Sequence, residues 1–323
     1  MPWTTASPVL IWAVLLIPLA VWMFRRQPAN KLTAYFLALD FMLADLFFIQ
    51  TVNWVVVNYY LRFVAVLLAL AVAFWMVRQT RYDPWLPARG ARSIGLFIAA
   101  LALLPGLGYV DARVLRADSY PNFDGEPLLA LYPLQNGMHV LVNGGNGIDA
   151  WGMNDAYQDW LGRPNGGDRG EAYGVDIVKI GTNGKMVKGV LPEDYRIYNT
   201  FNEFAYSPCM GMVVYLEDGI PNVNAFEDSG SRLGNRAVIQ CADTDYFVTI
   251  SNLSPNTFFV KKGDFIYIKS MIARVGNSAS FGFPHLHMHV SQGGYAGDVA
   301  PVPVLFEATF DFAHRARNHL YVR

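Results

Sequence analysis

The chain has 323 residues, 53% of them hydrophobic and 16% charged, with a formal net charge of −1. That length exceeds one ordinary domain, the apolar fraction is high for a wholly soluble chain, and the charge balance offers nucleic acid no basic surface. The apolar residues are unevenly spread. Long apolar runs fill residues 8–110, whereas Gly, Asn, Asp and Pro break the sequence into short pieces from Asp111 onward. The chain therefore reads as a helical membrane half followed by a soluble half.

Four stretches, 8–24, 32–50, 55–77 and 93–110, approach the roughly 20 apolar residues that cross a hydrocarbon core. No Lys or Arg precedes the first stretch, and Arg25-Arg26 follows it, so it reads as a retained anchor rather than a cleaved signal. Basic residues accumulate on the cytoplasmic side of a membrane. Arg25, Arg26 and Lys31 mark one inner loop, and Arg78, Arg81, Arg89 and Arg92 mark another. The N-terminus is then outside, and so is everything after Val110. This predicts a four-helix anchor over 1–110, a linker over 111–127 and an extracytoplasmic domain over 128–323. Within the anchor, Asp45 and Arg62 fall at similar depth on antiparallel helices, which predicts an ion pair clamping them together.

The outer half carries short β-rich runs at 138–142, 174–178, 211–215, 236–240, 246–250, 265–268 and 286–290, separated by turn dipeptides such as Asn183-Gly184, Asp218-Gly219 and Lys262-Gly263. Many short strands with almost no helical periodicity predict an all-β sandwich or barrel-like domain. Near its end, His285, His287 and His289, half of the six histidines in the chain, alternate with Leu286, Met288 and Val290 after a loop rich in Gly, Ser and Pro. Alternate residues of a strand share a face, so the imidazoles line one side and the apolar residues pack on the other. Such a face can supply zinc ligands, a general base, or both.

Four stretches, in order, are similar to the LytM/lysostaphin-type zinc endopeptidases, which cut the peptide part of bacterial peptidoglycan. Tyr173-Gly174-Val175-Asp176-Ile177-Val178 resembles the family's aspartate strand. Tyr206-Ser207-Pro208-Cys209-Met210-Gly211-Met212-Val213-Val214 resembles its A-P-x-x-G-x-V turn, and Val260-Lys261-Lys262-Gly263-Asp264 its V-k-x-G-d hairpin. Residues 276–287, ending in His285-Leu286-His287, resemble its G-N-S-G…P-H-L-H signature, the most specific of the four. The resemblance spans 138–306 and implies the family's duplicated hybrid β motif, zinc as cofactor, cell-wall peptide as ligand, and a bacterial inner-membrane protein whose C-terminal domain is periplasmic. It assigns Asp176 and His287 as metal ligands and His285 as the catalytic histidine. His289 falls where the family often has another polar residue, and reads as supporting the site from behind or as solvated.

This sequence departs from the pattern twice. The family's first metal-ligand histidine, upstream of the aspartate, finds only Asn154-Asp155-Ala156-Tyr157, and the histidine of its A-H-L triplet is Asn252 in Ser251-Asn252-Leu253. One histidine and one aspartate lack the third protein ligand of a zinc site. Asn154 or Asp155 stands near enough in sequence to substitute, and Asn252 retains a hydrogen-bond donor for an oxyanion but no general acid. Two readings follow: a degenerate module that binds peptidoglycan or regulates a partner hydrolase, which is the one taken, and as alternative an active zinc metalloendopeptidase cleaving cross-link peptides.

The remaining signals are weaker. His139 sits in an alternating run and reads as a strand-surface residue. His314 and His319, with Arg315, Arg317 and Arg323, read as a basic, solvated C-terminal face. Cys209 and Cys241 are the only cysteines; an extracytoplasmic domain permits a disulfide between them, and buried thiols remain open as the other outcome. Trp151, Tyr157, Trp160, Tyr173 and Tyr195 crowd the presumed cleft, as core packing or as faces for a glycan or peptide.

Overall fold

A computed structural model describes the chain except for residues 1, 26, 27, 29, 152, 159–167, 281, 308–311, 314–316 and 323. The chain forms two compact units, one of Thr4–Trp54 with Tyr60–Leu115, the other chiefly the residues from Arg116 onward.

The first unit contains α1 (Pro2–Arg25), α2 (Lys31–Thr51), α3 (Leu61–Gln79) and α4 (Ala91–Leu115). Helices α2, α3 and the stretch Ala91–Asp118 are long and apolar enough to cross a membrane, and the apolar part of α1, Val9–Arg25, is shorter. Asn30 caps α2 by accepting a hydrogen bond from the Thr33 N–H at 2.9 Å. Val52 ends that helix by turning extended. The third apolar stretch does not run as one helix from Val55, because Trp54–Val56 forms a 3-10 turn and α3 begins only at Leu61. Helix α4 in turn continues to Leu115, into the segment read as linker. Outward-facing apolar side chains are abundant: Val14, Leu67 and Phe74 each leave 65% or more of their surface uncovered. The predicted Asp45–Arg62 pair is not formed. Asp45 accepts instead from the Trp12 indole N–H at 2.8 Å, a neutral donor that reaches one oxygen of the buried carboxyl without bringing a second charge.

The second unit is built of strands. In chain order these are β1 (Leu128–Ala130), β2 (Met138–Asn143), β3 (Val175–Ile180), β4 (Phe204–Tyr206), β5 (Gly211–Glu217), β6 (Asn235–Cys241) and β7 (Tyr246–Leu253). They continue as β8 (Phe265–Ile266), β9 (Met271–Arg274), β10 (Leu286–Gln292), β11 (Ala300–Pro301), β12 (Val304–Glu307), β13 (Phe312–Ala313) and β14 (Leu320–Val322). The main sheet runs β14-β2-β3-β10-β7-β6-β5-β8, with β11 added beside β10, and every pairing within it is antiparallel. Two small sheets flank it, β1-β12-β13 and β4-β9.

Strand β10 lies at the centre, between β3 and β7. Its alternation assigns the two faces: Leu286, Met288 and Val290 are at most 1% exposed and join the hydrophobic core with Val175, Ile177, Val248 and Ile250. The odd positions, His287 and His289, face the other way. Register then fixes their neighbours, since His287 lies opposite Asp176 on β3 and Ser251 on β7, and His289 opposite Thr249. A bulge between Leu141 and Asn143 on β2 brings Asn143 opposite Asp176. Cys209 and Cys241 are bridged at a Cα separation of 5.9 Å, tying the start of β5 to the end of β6.

Candidate functional site

The polar face of β10 forms the floor of a cleft of about 560 Å³. Asn143, Asp155, Ala156, Glu171, Asp176, Arg232, Ser251, Ser280, His285 and His287 are among its lining residues. Asp176 and His287, assigned on separate motifs, meet here because antiparallel pairing of β3 with β10 sets them side by side. His287 Nδ1 donates to Asp176 Oδ1 at 2.6 Å, and Asn143 donates to the other oxygen at 2.9 Å. His285, just before β10, directs Nε2 toward Asp176 at 3.6 Å while its Nδ1–H is held by the Phe283 carbonyl at 2.6 Å.

Burial alone would raise the Asp176 pKa. The electrostatic pull of His285 and His287, with hydrogen bonds from His287 and Asn143, outweighs it and holds the carboxyl well below the usual carboxylate range. For His287 burial works downward, but the Asp176 charge and hydrogen bond prevail and raise its pKa. For His289, burial first, then the charges of His287 and Arg232, push the pKa well below the ordinary imidazole value. It is 5% exposed, so it is not solvated as the sequence allowed, and its Nδ1 lies 2.9 Å from His287 Nε2.

The substituted positions have other work. Asn252, in place of the A-H-L histidine, adopts a left-handed backbone with φ of 63°, which Asn tolerates better than most residues. Its side chain donates to the His285 carbonyl at 2.9 Å and accepts from the Ala279 N–H at 2.9 Å. Both ends of that amide thus help to hold the loop before β10. Asn154 is fully buried, and its amide N–H₂ lies at hydrogen-bond distance from the carbonyls of Gly145, Glu171, Ala172 and Gly174, so it staples two loops together. Asp155 and Ala156 do reach the cleft wall, with Asp155 paired to Arg317 at 2.6 Å. That pairing buries Arg317 to 9% exposure, so the C-terminal face is not uniformly solvated. His319 sits 3.3 Å from Asp118, while His314, Arg315 and Arg323 lie outside the described residues.

His139 is also inside, not on a strand surface: it is 0% exposed and packs against the Tyr132 ring at 5.7 Å between centroids. Among the described cleft-lining residues none is Trp, Tyr or Phe. Tyr173 is core, at 2% exposure, and Trp160 falls outside the described residues. Two cleft residues carry no motif at all. Glu171, 1% exposed, is gripped by both terminal nitrogens of Arg232, which also reaches Asp168 at 3.2 Å.

Comparisons with known proteins add likeness at low identity. No family model matches, and no curated protein matches. Among solved structures, the chain is similar to a zinc-containing peptidase from Vibrio cholerae, with 18% identity over 55% of this chain and 39% of that one, and a TM-score of 0.31. It thus spans well under half of that protein's length. It is similar to the catalytic domain of the antimicrobial peptidase lysostaphin from Staphylococcus simulans, with 16% identity over 31% of this chain and 74% of that one, at a TM-score of 0.23. A complex of SpoIIIAH and SpoIIQ gives 15% identity over 52% of this chain and 96% of that one, at 0.32. At these scores the reading rests on the residues of this chain.

Zinc is what the resemblance implies, and the donor atoms test it. His287 Nδ1 carries the proton that it donates to Asp176 Oδ1 at 2.6 Å, so that nitrogen is not open to a metal, and no histidine exists between His139 and His285 to complete the set. The pair assigned from the family pattern therefore does not by itself fit a resident zinc.

Proposed function

We propose that this chain is a membrane-anchored, LytM-type peptidase-like protein whose outer domain binds the peptide part of peptidoglycan in the cleft above β10, with the family's zinc site degenerate. The observation that carries the reading is the junction of Asp176 with the His285-Leu286-His287 run on adjacent strands at the cleft floor, while the two expected partner histidines are replaced by Ala156, whose methyl group on the cleft wall cannot bind a metal, and Asn252, which holds the loop before β10. The helices with exposed apolar faces support a bilayer as anchor and the Cys209–Cys241 bridge supports an oxidising, extracytoplasmic compartment such as the periplasm. A cleft that binds without cutting suits regulation of a partner hydrolase.

The test is co-sedimentation of the detergent-solubilised full chain with purified peptidoglycan sacculi, with soluble peptide release measured in the same tubes. Binding without release, weakened by the double variant His285→Ala with Arg232→Ala, is the expected outcome. Absence of binding removes the proposal. Release that vanishes in His285→Ala establishes the second reading, an active metalloendopeptidase, which the carboxylate and imidazole of Glu171 and His289 beside His287 favour.

A further inference from the structure

Beside His287, on the side away from Asp176, the structure assembles a second set of donors. Glu171, His287 and His289 each present one ligand atom, all within 4.8 Å of one another, and all three residues are buried. His287 Nε2 and His289 Nδ1 already face each other at 2.9 Å. We infer that Glu171, His287 and His289 form a divalent transition-metal site, displaced from the pair expected of the family, with Asp176 acting behind His287 instead of as a ligand.

The roles follow from the hydrogen bonds. A metal-bound histidine characteristically donates its other ring N–H to a carboxylate, which fixes tautomer and orientation. His287 does this toward Asp176 through Nδ1 at 2.6 Å, so Nε2 is the nitrogen presented to a metal. Asp176 is itself steadied by Asn143 at 2.9 Å. Glu171 is oriented by Arg232, which engages both carboxylate oxygens; each ionised oxygen keeps a further lone pair for a cation. Arg232 is shared between Glu171 and Asp168, and the Asp176 carboxylate lies against His287. Two imidazoles with one glutamate is a donor set that holds catalytic zinc on other folds, and it leaves a fourth position open. Glu171 and His287 line the cleft, so the open position faces it.

Two further observations point to a ligand at this place. Ser251 Oγ and Thr249 Oγ1 are buried and have no hydrogen-bond partner among the described residues. They lie in register opposite His287 and His289, where a hydrated cation supplies the partner that the protein withholds. An added Cβ at Gly174 would stand 3.1 Å from the Glu171 carbonyl oxygen, 3.3 Å from His287 Cε1 and 3.4 Å from the His289 Cβ, so the absence of a side chain there leaves room for the His287 ring and the Glu171 backbone.

Zinc binding is read without peptidoglycan, so the two proposals are tested separately. The experiment is to strip the detergent-solubilised full chain with chelator, titrate it with zinc, and record X-ray absorption at the zinc edge on the unmodified protein. One zinc per chain with two imidazoles in its shell is expected. His289→Ala and Glu171→Gln should each weaken zinc at least about 100-fold, and Asp176→Asn about 10–100-fold, as removal of a carboxylate behind a ligand does. Gly174→Ala, which removes no donor, should also weaken it. No stoichiometric zinc, or a single imidazole in the shell with His289→Ala binding as the unmodified chain does, overturns the inference.

Discussion

Asn252 shows how a substitution can convert a chemical position into a mechanical one. Its amide spans the His285 carbonyl and the Ala279 N–H at 2.9 Å each, so Asn252→Ala strands two buried groups at a cost of about 1–3 kcal/mol. A urea denaturation curve is expected to shift by that amount, and Asn252→Asp, which sets a buried carboxylate oxygen against the His285 carbonyl, should lose at least as much. Asp176 makes a second residue-level prediction. Its folded pKa lies below the unfolded value of about 3.9, so it contributes stability that is full above that pH and is lost as pH falls toward the folded value. Acid unfolding of the unmodified chain should therefore steepen below about pH 4. In Asp176→Asn that component should be absent, while the variant is less stable at neutral pH. Asp176 and His287 were legible in sequence because each sits in a local run with its own pattern. Glu171 was not: its partner Arg232 is 61 residues away, and nothing local marks either one.

At the scale of elements, β10 organises the outer unit. Its apolar positions complete the core, and its histidines take their partners from β3 and β7 by register alone. A one-residue slip would send the imidazoles into the core, which the apolar side chains at Leu286, Met288 and Val290 oppose. The bridge between Cys209 and Cys241 closes a loop of sequence separation 32 between neighbouring strands. A loop of that length corresponds to about 3–4 kcal/mol of lost chain entropy in the unfolded state. Cys209→Ser with Cys241→Ser is expected to lower the unfolding free energy by about 2–4 kcal/mol, read from denaturant midpoints, and reduction of the unmodified chain should do the same. The strand runs at 138–142 and 246–250 were visible as alternation, and appear within β2 and β7. The break before α3 was not, because Val55, Val56 and Val57 are as apolar as the helix that follows.

For the molecule as a whole, the distribution of Arg and Lys predicts which side each end occupies. Alkaline phosphatase fused after Arg323 should be active and a fluorescent protein at the same point dark, while fusions in the loop after α3, near Tyr82 and Trp85, should behave in the opposite way. Activity of the phosphatase only at the inner loop would reverse the topology and with it the peptidoglycan-facing cleft.

What the sequence determined by itself is what short-range pattern encodes: apolar runs that become helices, period-2 alternation that becomes strands, and the two motifs that place Asp176 and His287. The tertiary structure decided what each polar side chain touches. It turned Asn154 and Asn252 inward as loop staples, buried His139 beside Tyr132, and brought Glu171 and His289 close to His287. The physical reason is that a buried polar group takes whichever partner the fold brings within hydrogen-bond reach. Those partners come from strands and loops far apart in the chain, so no local motif identifies them.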